Sequence, residues 1–371
     1  EAIAAHALRE GPAQRVVRGE DRDGLPTGPE RDLAAEEEAE RAIAAHVEAL
    51  MASARGLRIA FGRADARSDG QASASDEYVG AFEGLESPYD RWSLVLRPVA
   101  PGEAFREEFL GRVEGLAIVS ATLFVGDDDH AALGEVGLAG EAVEGSWSRA
   151  VGSPFPYDRA MRVVAIDSRS GQAMDLVEAT AQTLAILARR LNGRTLGLFT
   201  SLARMRETAD RLGQLLAGEG IEVLLPRRSS DDPGALVERF RKAKGGAVLL
   251  GARRFWQGID VRGDDLLAGV IEKLPFDVPT ELRRRRDDRL RAAGEDPFSR
   301  ASLGRMLLHL KQMSGRLIRS ETDRGLVVIV DARHDRGYFR RLPDALPPGA
   351  RIEIVPKEAL PEIADDLDLG L

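Results

Sequence analysis

Arg316 and Arg319 stand three residues apart in the run Gln312-Met313-Ser314-Gly315-Arg316-Leu317-Ile318-Arg319-Ser320-Glu321-Thr322-Asp323-Arg324-Gly325. Read as one helical turn, the two guanidinium groups share a face. Guanidinium is always charged and presents a planar fork of donors. A pair aimed into a cleft therefore suits an anion such as the γ-phosphate of a nucleotide. Gln312 adds a carboxamide one turn upstream, and an apolar strand-like run, 326–331, follows directly. An arginine reaching a nucleotide from a second domain takes this form. Isolated arginine pairs are more often surface salt-bridge partners. Here Gln312 and Gly315 share the turn, 320–325 breaks the helix, and a core strand comes next, which favours the anion-binding reading.

Other residues with chemical potential fall where strands should end. Thr200-Ser201 follows Leu198-Phe199 and opens a helix, so its hydroxyls and the free N–H groups there suit a backbone phosphate, or simply an N-cap. The segment from Gly251 to Asp264 carries Arg253, Arg254, Phe255, Trp256, Gly258 and Asp260 after a buried run. Glycines let a backbone approach a ligand, and arginine beside exposed-looking aromatics suits phosphate and stacked bases. The plainer alternative is that Phe255-Trp256 plugs the core. Arg283 to Arg286 reads as a solvated helix face balanced by Asp287 and Asp288. Asp76-Glu77 sits in a polar stretch without a preceding apolar strand, so it is not read as a metal site. The chain contains no Gly-Lys-Ser/Thr, hence no phosphate-cradling P-loop, and no Asp-Glu pair after a buried strand to hold Mg²⁺. It reads as one wall of a nucleotide site.

The elements that must position these residues are legible as alternating apolar runs. Strands are expected at 162–166, 195–200, 221–225, 247–250, 267–274 and 326–330. Helices are expected at 174–191, 201–217, 233–242, 280–293 and 301–316. The strands are short, apolar and mostly unalternating, as in a parallel sheet buried on both faces. Their alternation with helices predicts βαβ units and a doubly wound α/β sheet. Upstream, an amphipathic helix is expected at 31–56, a mobile polar loop at 63–75, a strand at 92–96, a helix near 103–113 and a strand at 116–119.

The 371 residues suffice for two to three domains. The absence of cysteine excludes disulfides, thiolate-bound zinc and an iron–sulfur cluster within this chain, and the five histidines lack metal spacing. No apolar run approaches the ~20 residues of a membrane span, so no membrane role and a cytoplasmic location are expected. The start at Glu1 rather than Met suggests a fragment or processed chain. Net charge is −9 and unevenly placed. Residues 1–150 hold 15 basic and 29 acidic residues, whereas 151–371 hold 37 and 32. An arginine-dominated half beside an acidic one can bind phosphate locally despite a low overall pI.

The ordered set Ser120-Ala121-Thr122-Leu123, Gly152-Ser153-Pro154-Phe155, Leu198-Phe199-Thr200-Ser201, Phe255-Trp256-Gln257-Gly258-Ile259-Asp260, Leu274-Pro275-Phe276 and the Gln312–Gly325 run resembles the DinG/XPD-type superfamily 2 DNA helicases, with the bacterial DinG branch most similar. The likeness covers roughly 90–345 and is most specific in its last block. It implies a RecA-like second motor domain at 150–345, the terminal part of a first motor domain at 88–149, the end of a mainly helical arch at 1–87, and an acidic C-terminal tail at 346–371. It also implies roles. Ser120, Ala121 and Thr122 would couple nucleotide state to strand separation. Thr200 and Ser201, with Arg253, Arg254 and Trp256, would touch single-stranded DNA. Gly258, Asp260 and Gly315 would border the nucleotide. Gln312, Arg316 and Arg319 would face the γ-phosphate, with Arg319 the first choice as finger. ATP and Mg²⁺ are the implied cofactors and 5′-to-3′ stepping the implied motion. A first motor domain is the implied partner, in cis or in trans. The remaining alternatives are a non-enzymatic nucleic-acid-binding or regulatory module, or one half of a split motor.

Overall fold

The run Leu326-Val327-Val328-Ile329-Val330 sends successive side chains to opposite faces of its strand. Val327 and Ile329 enter one apolar layer, while Leu326, Val328 and Val330 enter another. Both faces are dry, which is why the run reads as continuous apolar sequence rather than as an alternation.

The structure, a computed structural model, describes residues 78–83, 93–120, 122–134, 138, 147–171, 174–227, 231–243, 245–252, 255, 261, 263–315, 317, 318 and 320–369. The expected helix at 31–56, the loop at 63–75 and Asp76-Glu77 lie outside them. The chain divides into two compact units, Glu1–Val99 and Ala100–Leu371. In the first, β1 (Tyr78–Glu83) pairs antiparallel with β2 (Ser93–Pro98), from Tyr78 opposite Pro98 to Glu83 opposite Ser93. This pair spans the boundary that the resemblance implies at residue 88.

The second unit opens with α1 (Pro101–Glu108) and short helices α2 (His130–Leu133) and α3 (Tyr157–Ala160). Its centre is a seven-stranded parallel sheet in the order β5-β6-β4-β7-β8-β3-β9. The strands are β3 (Met161–Ile166), β4 (Thr195–Leu198), β5 (Glu222–Leu224), β6 (Ala247–Gly251), β7 (Ala268–Lys273), β8 (Gly325–Asp331) and β9 (Ile352–Val355). One face packs against α4 (Leu176–Arg190), α5 (Leu202–Leu215) and α9 (Leu360–Leu369). The other packs against α6 (Pro233–Lys242), α8 (Leu303–Ser314) and the helical segment Gly337–Ala345. Between them, α7 (Glu281–Ala292) buries no residue, so it rides on the surface. Local caps set several starts. Asp175, Ser201, Asp232 and Thr280 each accept a backbone N–H from the first turn of α4, α5, α6 and α7.

Two expectations differ from this architecture. The segment 346–371 is not a separate acidic tail. Residues 352–355 pair with β3 as the edge strand, and Leu360, Ile363 and Ala364 of α9 are buried at helical spacing. Its acids are matched by arginines of the sheet unit: Asp365 lies 3.0 Å from Arg190, and Glu353 3.1 Å from Arg162. The run 116–119 forms no strand among the described residues, with Leu116 45%, Ile118 42% and Val119 94% exposed.

Candidate nucleotide and nucleic-acid site

Ligands of open α/β sheets gather at the carboxyl ends of the strands, and Thr200-Ser201 lies there, after β4. The Ser201 side chain accepts from the Arg204 backbone N–H at 3.4 Å, the plain N-cap arrangement. Arg204 reaches back with Nη2 to Thr200 Oγ1 at 3.2 Å, and its Nε donates to Glu272 of β7. The Glu272 side chain is fully buried. A buried carboxylate demands a hydrogen-bonded cation, so this pair locks the start of α5 onto the centre of the sheet. Both hydroxyls stay half-buried, and each still has its own hydrogen to donate to a ligand. Glu272 and Arg204 were missed in the sequence, although an acid inside the apolar run 267–274 was a signal.

After β6 the outcome is mixed. Gly251 is needed for packing, since a Cβ there would sit 2.3 Å from the Phe255 ring. Phe255 is 2% exposed, so it plugs the core and is not an exposed stacking surface, because Gly251 leaves room for its ring against the strand. Arg253, Arg254, Trp256, Gly258 and Asp260 lie outside the described residues.

The last segment departs from one helical turn. Helix α8 stops at Ser314, with Gly315 as an exposed C-cap whose N–H bonds Lys311 O at 3.0 Å. Gln312 lies half-buried in the final turn. Leu317 and Ile318 beyond it are each 3% exposed. Gly325 admits Leu317 against β8, for a Cβ there would meet Leu317 Cβ at 2.6 Å. The turn closes on Asp323, which is buried, accepts Ser320 N at 3.0 Å and also binds the Ser320 hydroxyl. Arg316 and Arg319 lie outside the described residues. The expected helix through residue 316 is therefore too long, and the shared-face argument for the two arginines does not hold. What flanks them is a pair of buried anchors, Leu317-Ile318, that fix the chain between the two positions.

Ser120 is exposed and Thr122 half-buried; Thr122 N donates to Ser120 Oγ at 3.2 Å, and Ala121 lies outside the described residues. Two residues on, the Phe124 carbonyl accepts from Lys311 Nζ at 2.7 Å, and Val125 is buried in the same layer as α8. Burial holds the Lys311 ammonium below its ordinary pKa. The sequence block at Ser120–Leu123 is thus tethered one residue from Gln312, a link no spacing rule disclosed.

Of the arginine run, Arg284 and Arg285 pair with Glu281 at 3.5 and 3.1 Å, and Arg283 lies 3.4 Å from Asp277. The Glu281 pairs join i, i+3 and i, i+4 neighbours, which share a helix face. Among the described residues no group of acids and histidines could hold a metal ion, and no helix is long and apolar enough to cross a membrane.

The helicase C-terminal domain family matches residues 184–349. Similar proteins include the 3′-5′ exonuclease DinG of Bacillus subtilis strain 168, 30% identical over 72% of this chain and 29% of that protein. The ATP-dependent DNA helicase YoaA of Escherichia coli K12 is 35% identical over 70% of this chain and 40% of that protein. A solved XPD helicase structure aligns with 18% identity and a TM-score of 0.39, over 53% of this chain and 36% of that chain. The chain spans less than half the length of these curated relatives.

Proposed function

We propose, for a chain that belongs to the DinG/XPD-type superfamily 2 helicases and carries their C-terminal portion, that it supplies the arginine side of the ATP site of a DNA helicase and part of its single-stranded DNA track. The observation that carries this reading is the helicase C-terminal match, which spans the whole Gln312–Gly325 block. Buried Leu317 and Ile318 within that block, next to the close of α8, support it.

In this reading a P-loop domain binds ATP and Mg²⁺ opposite the block. When the two domains close, Arg319, assisted by Arg316 and Gln312, meets the charge that develops on the transferring phosphoryl group. Gly258, Asp260 and Gly315 border the nucleotide. The Lys311–Phe124 tether links that block to Ser120–Thr122, so closure is felt by the segment that couples to strand separation. Thr200 and Ser201 offer hydroxyl donors to the DNA backbone, Arg253, Arg254 and Trp256 share the task of holding the strand, and each closure advances the strand 5′ to 3′. The exposed apolar run Leu116–Val119 supports a P-loop domain as neighbour, since a sheet there would bury it.

The test is ATP hydrolysis with and without single-stranded DNA. The 371-residue chain, which has no P-loop, turns over essentially no ATP. Joined to its P-loop domain, Arg319→Ala lowers the DNA-stimulated rate by on the order of 10³-fold or more. Equal rates in variant and wild type remove Arg319 from the finger role, and helicase-level turnover by the 371-residue chain overturns the division of labour.

A further inference from the structure

Strand β4 delivers Thr200 with little freedom. Phe199 before it is fully buried, and its N–H donates to Gly251 O at 2.9 Å, which extends the β4–β6 ladder by one residue. On the other side Met205 of α5 is 1% exposed, and its N–H bonds Ser201 O at 3.0 Å. The backbone is thus fixed before and after Thr200, and χ1 of a β-branched residue is stiff. What stays free in a threonine so held is the hydroxyl hydrogen, which turns to suit its neighbours.

Arg204 removes that freedom. A guanidinium has donors and no acceptor, so in the 3.2 Å bond from Arg204 Nη2 the Thr200 oxygen accepts. The Thr200 hydrogen must then point away from Arg204, towards another partner. Arg204 is held in turn by Glu272 of β7. Its Nε donates to Glu272 Oε1, and its Nη2 lies 3.4 Å from Oε2. The three groups run from a fully buried anion, through a cation 30% exposed, to a half-buried hydroxyl.

The start of α5 does not require this network. Ser201 already caps the helix by accepting the Arg204 N–H. Replacing a buried ion pair by apolar residues of similar volume is often neutral or stabilising. Stability alone therefore gives little reason for a carboxylate inside the apolar strand β7, whereas a fixed hydroxyl donor gives one. We propose that Glu272 and Arg204 are positioning residues that set the Thr200 hydroxyl as a donor to an anionic oxygen at the carboxyl end of β4. The proposal rests on the helicase reading above, in which that oxygen belongs to a DNA phosphate. Thr200 makes the contact, and the pair acts only through it.

The experiment is a double-mutant cycle read by fluorescence anisotropy of the 371-residue chain with a labelled oligothymidylate of about 16 nucleotides. It compares wild type, Thr200→Val, the joint change Arg204→Met with Glu272→Leu, and the combination of both. Valine keeps the branched shape of threonine without its hydroxyl. The joint change strands neither charge and leaves net charge the same, and thermal melting verifies its fold. Thr200→Val weakens binding roughly tenfold, the size of a hydrogen bond to a charged group. The joint change weakens it about threefold or more. Once Thr200 is valine, the joint change adds less than about twofold, because nothing is left to position. Wild-type affinity in the folded joint variant overturns the positioning and leaves the Thr200 contact standing. Losses that multiply in the combined variant overturn it too, since the pair then acts elsewhere. Wild-type affinity in Thr200→Val, or no binding by wild type, removes the contact and the proposal with it, while the ATPase test of Arg319 judges the helicase reading separately. If the joint variant melts below the assay temperature, Arg204→Lys decides. Lysine keeps a charge beside Glu272 but lacks the planar fork that spans two acceptors. The same threefold loss, absent beside Thr200→Val, is expected, and wild-type affinity overturns the proposal.

Discussion

Two apolar runs of this chain have nearly the same composition and opposite fates. Leu326 to Val330 are each no more than 1% exposed, hydrogen-bonded between β7 and β3 and covered on both faces. Leu116 to Val119 leaves Val119 94% exposed and pairs with no strand among the described residues. Preference for extended backbone is the same in both. A strand exists only when neighbours take its N–H and C=O groups and cover its side chains. The first run is flanked in sequence by helices that fold back over it. The second is followed by the turn at Val125–Asp128, which docks on α8 and leaves the run itself uncovered. Each Leu, Ile or Val left exposed forgoes roughly 1.5–3 kcal/mol of burial, so the second run is an energetic debt in this unit and an opportunity for another.

The largest effect expected from breaking this contrast is Val328→Asp. An unpaired charge in the centre of the sheet costs roughly 4 kcal/mol or more, and the second unit loses its cooperative urea transition. A cooperative transition at the wild-type midpoint would mean that the sheet tolerates charge and that β8 is not its core.

An intermediate effect concerns pH and belongs to the folded unit alone. Asp277 is held at a pKa of about 2, chiefly by His309, whose Nε2 lies 3.4 Å away, aided by Arg305 at 2.8 Å and opposed by burial. Its unfolded value is near 3.9. A depressed carboxylate contributes stability that is full above about pH 4 and lost as pH falls towards 2, on the order of 2 kcal/mol. Asp277→Asn flattens this limb in acid melts, whereas the exposed run has no such limb. An unchanged acid limb in the variant would assign it to other carboxylates.

The smallest effect is Val119→Ser. Exposed positions away from special features change stability by within about 0.5 kcal/mol, so thermal melting of the 371-residue chain moves little. A loss above about 1 kcal/mol would show that the run is packed and would dissolve the comparison.

Particular residues show how far the sequence could be read. Helix α6 is bounded as expected at 233–242, because Asp232-Pro233 carries both a cap acceptor and a residue fit only for the first turn. Helix α8 is shorter than the sequence predicts, since the apolar spacing runs on through Leu317 and Ile318, which are buried for a different reason: Leu317 packs against Gly325 of β8. The acidic α9 reads in sequence as a tail although Leu360, Ile363 and Ala364 mark a buried face; their apolar signal is diluted by acids such as Asp365, whose partner Arg190 lies 175 residues away in sequence.

The sequence by itself determined the parallel α/β class, most strand and helix positions, and the block at 312–325, because hydrophobic period, capping residues and motif spacing are local. The tertiary structure alone decided which apolar run became a strand, that β9 and α9 complete the sheet, and that Arg204 neutralises Glu272 and reaches Thr200. Each of these depends on residues distant in sequence meeting at one place, and burial and charge compensation are properties of that meeting, not of the residues taken singly.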